Sequence, residues 1–355
     1  MSADTAEVLV RVERGVGFLT LNRPAAINSL NQTMVSALDA ALDAWAADDR
    51  VRAVVLAGAG ERGLCAGGDV VAIYHSARAD GAEARRFWFD EYRLNARIGR
   101  YPKPYIALMD GIVMGGGVGV SAHGSVRVVT EKSKIAMPEV GIGFIPDVGG
   151  TYLLSRAPGQ LGLHAALTGA PFSGADAIAL GFADHYVPHS ELGPFIAMVQ
   201  AEGPEAAVTA FAEEPPPSAL AAQRDWIDHC YAGPTVSDIV SALRRYDADR
   251  PGEGPAHDAA ALIASRSPIA LAVTLSAVRR AAGLDSLQDV LVQEYRVSCA
   301  SLRSHDLIEG IRAQLVDKDR NPQWSPSSIG EVTDADVAGY FLPADPDLSF
   351  EGETL

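Results

Sequence analysis

Glu139 and Asp147 bracket a short stretch, Pro138-Glu139-Val140-Gly141-Ile142-Gly143-Phe144-Ile145-Pro146-Asp147, whose glycines and prolines mark a turn rather than a regular element. Two carboxylates in one turn can supply a base, a nucleophile or a proton carrier. Upstream stands Gly115-Gly116-Gly117, which lacks Cβ atoms and so lets backbone N–H groups approach a ligand oxygen. Donors for a developing oxyanion and carboxylates for acid–base work are the two ingredients of acyl transfer. Each has a plainer reading. A triple glycine serves tight packing, Glu139 after a proline can be a helix N-terminal charge, and Asp147 can cap a helix at Gly149-Gly150-Thr151. Their joint occurrence favours the chemical reading.

Other reactive side chains are weaker candidates. Cys65 has no histidine nearby in sequence to activate it. His123 and His305-Asp306 read as packing or capping residues. Glu91, in Asp90-Glu91-Tyr92, is either a binding residue or part of a solvated helix face.

These residues are carried by alternating strand-like and helical runs. Val8 to Val12 and Val16 to Leu21 predict a hairpin, and Asn22-Arg23-Pro24 a turn. Asn31 is placed to cap a helix whose Met34, Val35, Leu38, Leu42 and Trp45 share one buried stripe. Ala53 to Leu56 reads as a buried strand before a glycine-rich loop from Gly58 to Asp69. The pattern recurs: a helix around Ala82 to Ile98, a strand Tyr105 to Met109 running into the triple glycine, and a strand near Val126 to Thr130. Such alternation predicts an α/β fold, because parallel strands need helical crossovers. Beyond Pro188 the pattern turns helical, with proline breaks at Pro215-Pro216-Pro217 and Pro251 to Pro255 and one amphipathic helix through Leu287, Val290, Leu291 and Tyr295. A boundary near residue 190 divides the chain into a core, 1–190, and a helical C-terminal region, 191–355.

Composition narrows the partners. The 355-residue chain is 48% hydrophobic, long enough for a core and an appendage. Its 45 acidic against 29 basic residues give a formal charge of −16, which argues against nucleic acid and anionic membrane. A polyanionic ligand needs local donors. Three dispersed cysteines without a Cys-x-x-Cys predict no disulfide framework and a reducing compartment, the cytoplasm by default. No membrane-length apolar run and no signal-like N-terminus are found, and the eight histidines form no metal-ligand motif, so no metal is expected.

From Leu21-Asn22-Arg23-Pro24 to about Val187, the residues now reached resemble the crotonase (enoyl-CoA hydratase/isomerase) superfamily. Cys65-Ala66-Gly67-Gly68-Asp69 is similar to its first oxyanion loop, and Gly111-Ile112-Val113-Met114-Gly115-Gly116-Gly117-Val118-Gly119 to its second. The resemblance implies a ββα spiral core in which the Gly68 and Gly116 N–H groups bind a thioester oxygen and Ala66 lines an adenine pocket through its backbone. Within the superfamily, Met137-Pro138-Glu139 with Phe144-Ile145-Pro146-Asp147-Val148-Gly149-Gly150 resembles the 3-hydroxyisobutyryl-CoA hydrolase subfamily. Glu294-Tyr295-Arg296, His305-Asp306, Glu309-Gly310-Ile311-Arg312 and Asp317-Lys318-Asp319 through Pro322-Gln323-Trp324 continue that likeness.

Departures from the hydratase pattern sharpen the expectation. The second hydratase glutamate position is Gly119, Asp147 stands where hydratases have glycine, and the lysine often found after Arg23-Pro24 is Ala25. Hydration is therefore disfavoured. The resemblance implies a CoA-thioester hydrolase for a short 3-hydroxyacyl-CoA, such as 3-hydroxyisobutyryl-CoA in valine breakdown. Glu139 would be nucleophile or general base, Asp147 would orient the 3-hydroxyl or carry a proton, and Glu91 would contact substrate. Coenzyme A belongs to the substrate, so no separate cofactor is expected. An enoyl-CoA isomerase or a non-catalytic acyl-CoA scaffold are the alternatives, and a homo-oligomer is compatible with the chain.

Overall fold

A computed structural model of the protein describes residues 6–246 and 254–350. Strand β1 (Val8–Glu13) pairs antiparallel with β2 (Val16–Leu21), as the hairpin reading predicts. Arg14 and Gly15 close it with φ of 51° and 81°, the left-handed pair that matches strand twist in a two-residue turn. The following strands are β3 (Ala53–Gly58), β4 (Tyr105–Met109), β5 (Ile112–Met114), β6 (Val126–Val129), β7 (Lys134–Ala136), β8 (Phe172–Ser173) and β9 (His185–Tyr186). Six form one sheet in the order β1-β2-β3-β4-β6-β9, parallel after the opening hairpin.

Helices provide the crossovers. Helix α1 (Gln32–Ala46) starts at Asn31, whose side chain accepts from the Met34 N–H at 2.9 Å, and buries the five apolar residues of its stripe. Helices α2 (Val70–Ala77) and α3 (Ala82–Gly99) join β3 to β4.

The main sheet is apolar on both faces, as parallel sheets are. Phe18, Val55, Ile106, Leu108 and Val128 pack on Phe195, Val199 and Ala207 of the helices Leu192–Glu202 and Pro204–Phe211. Leu19, Val54, Leu56, Ala107 and Met109 face the larger core.

A second, three-stranded sheet, β5-β7-β8, is absent from the sequence reading. Its strands have two or three residues, too few to show a period. It nevertheless sets the glycine loops: Cys65 bridges in parallel to Val113, with the Cys65 N–H donating to Ile112 O at 3.1 Å and the Met114 N–H to Cys65 O at 2.9 Å.

Downstream come α4 (Gly116–Gly119), α5 (Gly150–Arg156), and, among the C-terminal helices, α6 (Pro268–Ala281), α7 (Leu287–Ser301) and α8 (His305–Ile311). Two glycines let α8 lie backbone to backbone against the turn after Glu139. A Cβ on Gly143 would meet Asp306 O at 2.1 Å, and one on Gly310 would meet Ile142 O at 2.4 Å. Among the described residues no single helix is long and apolar enough to cross a membrane. The proline break at Pro251 to Pro255 lies partly outside the described residues.

Candidate active site

Two loops meet edge to edge. Gly115 turns with φ 48° and ψ −120°, a conformation open to glycine, and delivers Gly116 as the first residue of α4. Opposite, the Leu30 N–H donates to Gly67 O at 2.8 Å and the Asp69 N–H to Leu30 O at 2.7 Å, pinning Gly68 between them. Asn28, fully buried, donates to the carbonyls of Ala59, Gly63 and Leu64 and so braces the same loop. A Cβ on Gly116 would stand 3.3 Å from Gly68 N and 2.7 Å from Glu91 Oε1. Among the described residues no turn or loop hydrogen bond uses either the Gly68 or the Gly116 N–H. The two glycines thus lie side by side.

Three carboxyls line the same cavity. Glu139 opens the 3₁₀ turn Glu139–Ile142, and its Oε1 lies 2.9 Å from where a Gly115 Cβ would be. Glu91 projects from α3 and is only 2% exposed, so it is no part of a solvated face. Asp147, 5% exposed, accepts from Tyr92 Oη at 2.7 Å. Ala66, Gly68, Glu91, Gly116, Glu139 and Asp147 all line one cavity of about 610 Å³.

Burial dominates the electrostatics. It pushes Glu139 and Glu91 well above the usual carboxylate range, with the neighbouring Asp147 charge adding to both. Asp147 is pushed up to about 7 by burial, against the pull of the Tyr92 hydroxyl. Burial also pushes the Cys65 thiol up to about 12, which removes it as a nucleophile at neutral pH.

The reading of Asp147 as a helix cap is corrected. The N-cap of α5 is Gly149, and no side chain of its own neighbourhood caps the helix. Glu294 from α7 does so from afar, accepting from the Gly149 N–H at 2.6 Å and from the Thr151 N–H and Oγ1 at 2.9 and 2.6 Å. Asp147 is thereby left for the cavity. Val148 between them holds a left-handed φ of 54°, costly for a β-branched residue, and His123 Nε2 sits 2.8 Å from its carbonyl oxygen. Burial lowers His123 to about 4, so the neutral ring donates this bond through Nε2.

The Ala66 N–H is occupied, donating to Ile27 O at 2.9 Å, which leaves its carbonyl as the backbone group free to meet a ligand. Sequence reasoning assigned no role to Tyr92, Asn28, Ser298 or Glu294, nor to Arg266, Leu307, Ile311, Gln314 and Leu315, which close the C-terminal side of the cavity. The motif around Glu294 was visible as a likeness, but its bonds to Gly149 and Thr151 span over a hundred residues and leave no local pattern. At Gly119 a Cβ would meet Val148 Cβ at 2.6 Å and Asn95 Nδ2 at 2.9 Å, so this position has no room for a side chain.

Residues 16–341 match the model of the enoyl-CoA hydratase/isomerase family. The chain belongs to this family. Among relatives, the mitochondrial 3-hydroxyisobutyryl-CoA hydrolase of Danio rerio is 38% identical, covering 96% of this chain and 90% of that one. The corresponding Homo sapiens protein is 36% identical over 95% of this chain and 89% of its own. Among solved structures, a carnitinyl-CoA dehydratase from Mycobacterium thermoresistibile is 71% identical with a TM-score of 0.94, covering 98% of this chain and 99% of that one. An enoyl-CoA hydratase from Rhodobacter sphaeroides 2.4.1 is 40% identical with a TM-score of 0.91, covering 97% and 100%. The crotonase fold with a helical C-terminal region is thus shared along nearly the whole chain.

Proposed function

We propose that this family member hydrolyses the thioester of a short 3-hydroxyacyl-CoA, with 3-hydroxyisobutyryl-CoA as the preferred substrate and valine breakdown as its setting. The observation that carries this reading is the absence of space at Gly119 together with a buried carboxyl at Asp147. A water-adding enzyme that uses two glutamates needs a second one where Val148 and Asn95 leave none. The names of the curated hydrolase relatives point the same way.

In this scheme the thioester oxygen lies between the Gly68 and Gly116 N–H groups. Removing one donor from such a preorganised hole costs roughly 3–4 kcal/mol of transition-state stabilisation. Glu139 either attacks the carbonyl carbon, expelling the CoA thiolate and leaving a mixed anhydride that water then hydrolyses, or takes a proton from water as it attacks; its raised pKa strengthens it as a base once ionised. Asp147 meets the 3-hydroxyl and supplies a proton to the departing thiolate, and Glu91 holds the acyl group beside Gly116.

Dehydration is the second reading, carried by the 71% identity to the protein called a carnitinyl-CoA dehydratase. One experiment separates the two. Incubated with 3-hydroxyisobutyryl-CoA, the hydrolase releases free thiol without enoyl absorbance. With carnitinyl-CoA, a dehydratase generates enoyl absorbance and no thiol. The second pattern alone would overturn the proposal.

A further inference from the structure

A line of hydroxyls leads from Asp147 away from the cavity. Tyr92 Oη lies 2.7 Å from Asp147 Oδ2 and 2.7 Å from Ser298 Oγ, which lies 2.9 Å from the Glu294 carbonyl oxygen. Tyr92 and Ser298 are fully buried and do not line the cavity, so a ligand there does not complete their hydrogen bonds. Two hydroxyl protons are thus shared among three short contacts. All three become hydrogen bonds only when the Asp147 carboxyl adds a third proton. Asp147 then donates to Tyr92, Tyr92 to Ser298, and Ser298 to the carbonyl. When Asp147 is ionised, the hydroxyls turn: Tyr92 donates to the carboxylate and Ser298 to Tyr92. Only the 2.9 Å contact is then without a proton, and its carbonyl still has the helical N–H four residues on.

We infer that Tyr92 and Ser298 are positioning residues that serve Asp147 as a reversible two-hydroxyl chain, letting a buried carboxyl gain and give up its proton without orphaning a polar group. The inference rests on the role proposed for Asp147 above. Three other carboxyls face it, and a charge on Asp147 holds each of them up: Glu91 from α3, Glu139 from the preceding turn and Glu294 from α7. His123 faces the adjoining carbonyl and is neutral. The cations on the cavity wall are engaged, Arg23 with Glu7 and Asp69, Arg266 with the Thr168 carbonyl.

The test is an infrared titration of the ligand-free full chain across about pH 5 to 9, following the protonated-carboxyl band that disappears in Asp147→Asn. Tyr92→Phe removes the donor that stabilises the carboxylate, so the midpoint rises by about one unit. Ser298→Ala removes the acceptor that stabilises the acid chain, so the midpoint falls, by roughly half a unit. Ser298→Thr, which keeps the hydroxyl, returns it toward the native value. Shifts in the same direction, or unmoved midpoints in variants with native circular dichroism, would overturn the inference. Because this readout needs no turnover, a chain without thioesterase activity would sink the proposed function and leave the hydroxyl chain standing.

Discussion

Glu139 and Asp147 share a cavity and a turn, but the protein treats them differently. Glu139 Oε2 is buried with no hydrogen-bond partner, and the carboxyl is held only by its own backbone N–H. Asp147 is gripped from behind by Tyr92, and the backbone after it is fixed by His123 and Glu294. A buried carboxyl oxygen without a partner costs stability and is kept where a ligand will complete it. A carboxyl tied into the interior is built to hold one position and to manage a proton. The bare group suits the bond-making step, the braced one recognition and proton transfer.

The strongest way to break this comparison is at the bare carboxyl. Glu139→Gln preserves shape and removes the base or nucleophile, and kcat for thiol release is expected to fall at least ~10²-fold with little change in acyl-CoA affinity. Turnover near the native rate would mean that Glu139 is only filling space.

The bracing should register as stability. Glu294→Ala leaves the Gly149 N–H and both Thr151 donors without their acceptor, and a loss of about 2 kcal/mol is expected in denaturant unfolding. The loss should depend on pH. Burial moves the Glu294 carboxyl from 4.5 up to about 8 in the folded protein, so the unfolded chain releases its proton first as pH rises. The native side chain contributes fully below the unfolded value and loses that contribution progressively up to about 8. Alanine does not titrate. The stability gap between native and variant proteins therefore narrows from pH 5 to about 8; a gap that widens would show that Glu294 is favoured as its anion.

Legibility in the sequence follows the same division. The hairpin, α1 with its Asn31 cap, and strands β3, β4 and β6 were readable because each carries its own periodicity and boundary residues. Gly68, Gly116, Glu139 and Asp147 line one cavity; the carboxylates were singled out by their local turn and the two glycines by the family resemblance. The small sheet was not, since two- and three-residue strands have no period. Nor was the bracing: Glu294 and Ser298 reach residues 143 and 206 positions away, and their helix reads simply as an amphipathic one. A cap reading stood beside the chemical one for Asp147 because it precedes Gly149-Gly150-Thr151, and only the fold reveals that a distant glutamate accepts from the Gly149 and Thr151 N–H groups.

The finest distinction concerns what Asp147 does for the substrate. As a protonated acid it is nearly isosteric with asparagine, which can still bond a 3-hydroxyl but cannot release a proton to a thiolate. Asp147→Asn should therefore slow 3-hydroxyacyl-CoA and the matching acyl-CoA lacking the hydroxyl by a similar factor. Asp147→Ala removes the hydroxyl contact as well, and should cost about tenfold more on the hydroxylated substrate than on its deoxy analogue. The ratio of kcat/KM for the two substrates, measured in native, Asn and Ala proteins, isolates recognition from proton transfer. An alanine variant that keeps the native ratio would show that Asp147 carries the proton only, and that the 3-hydroxyl is recognised by another group on the cavity wall, with Glu91 the nearest carboxyl to test.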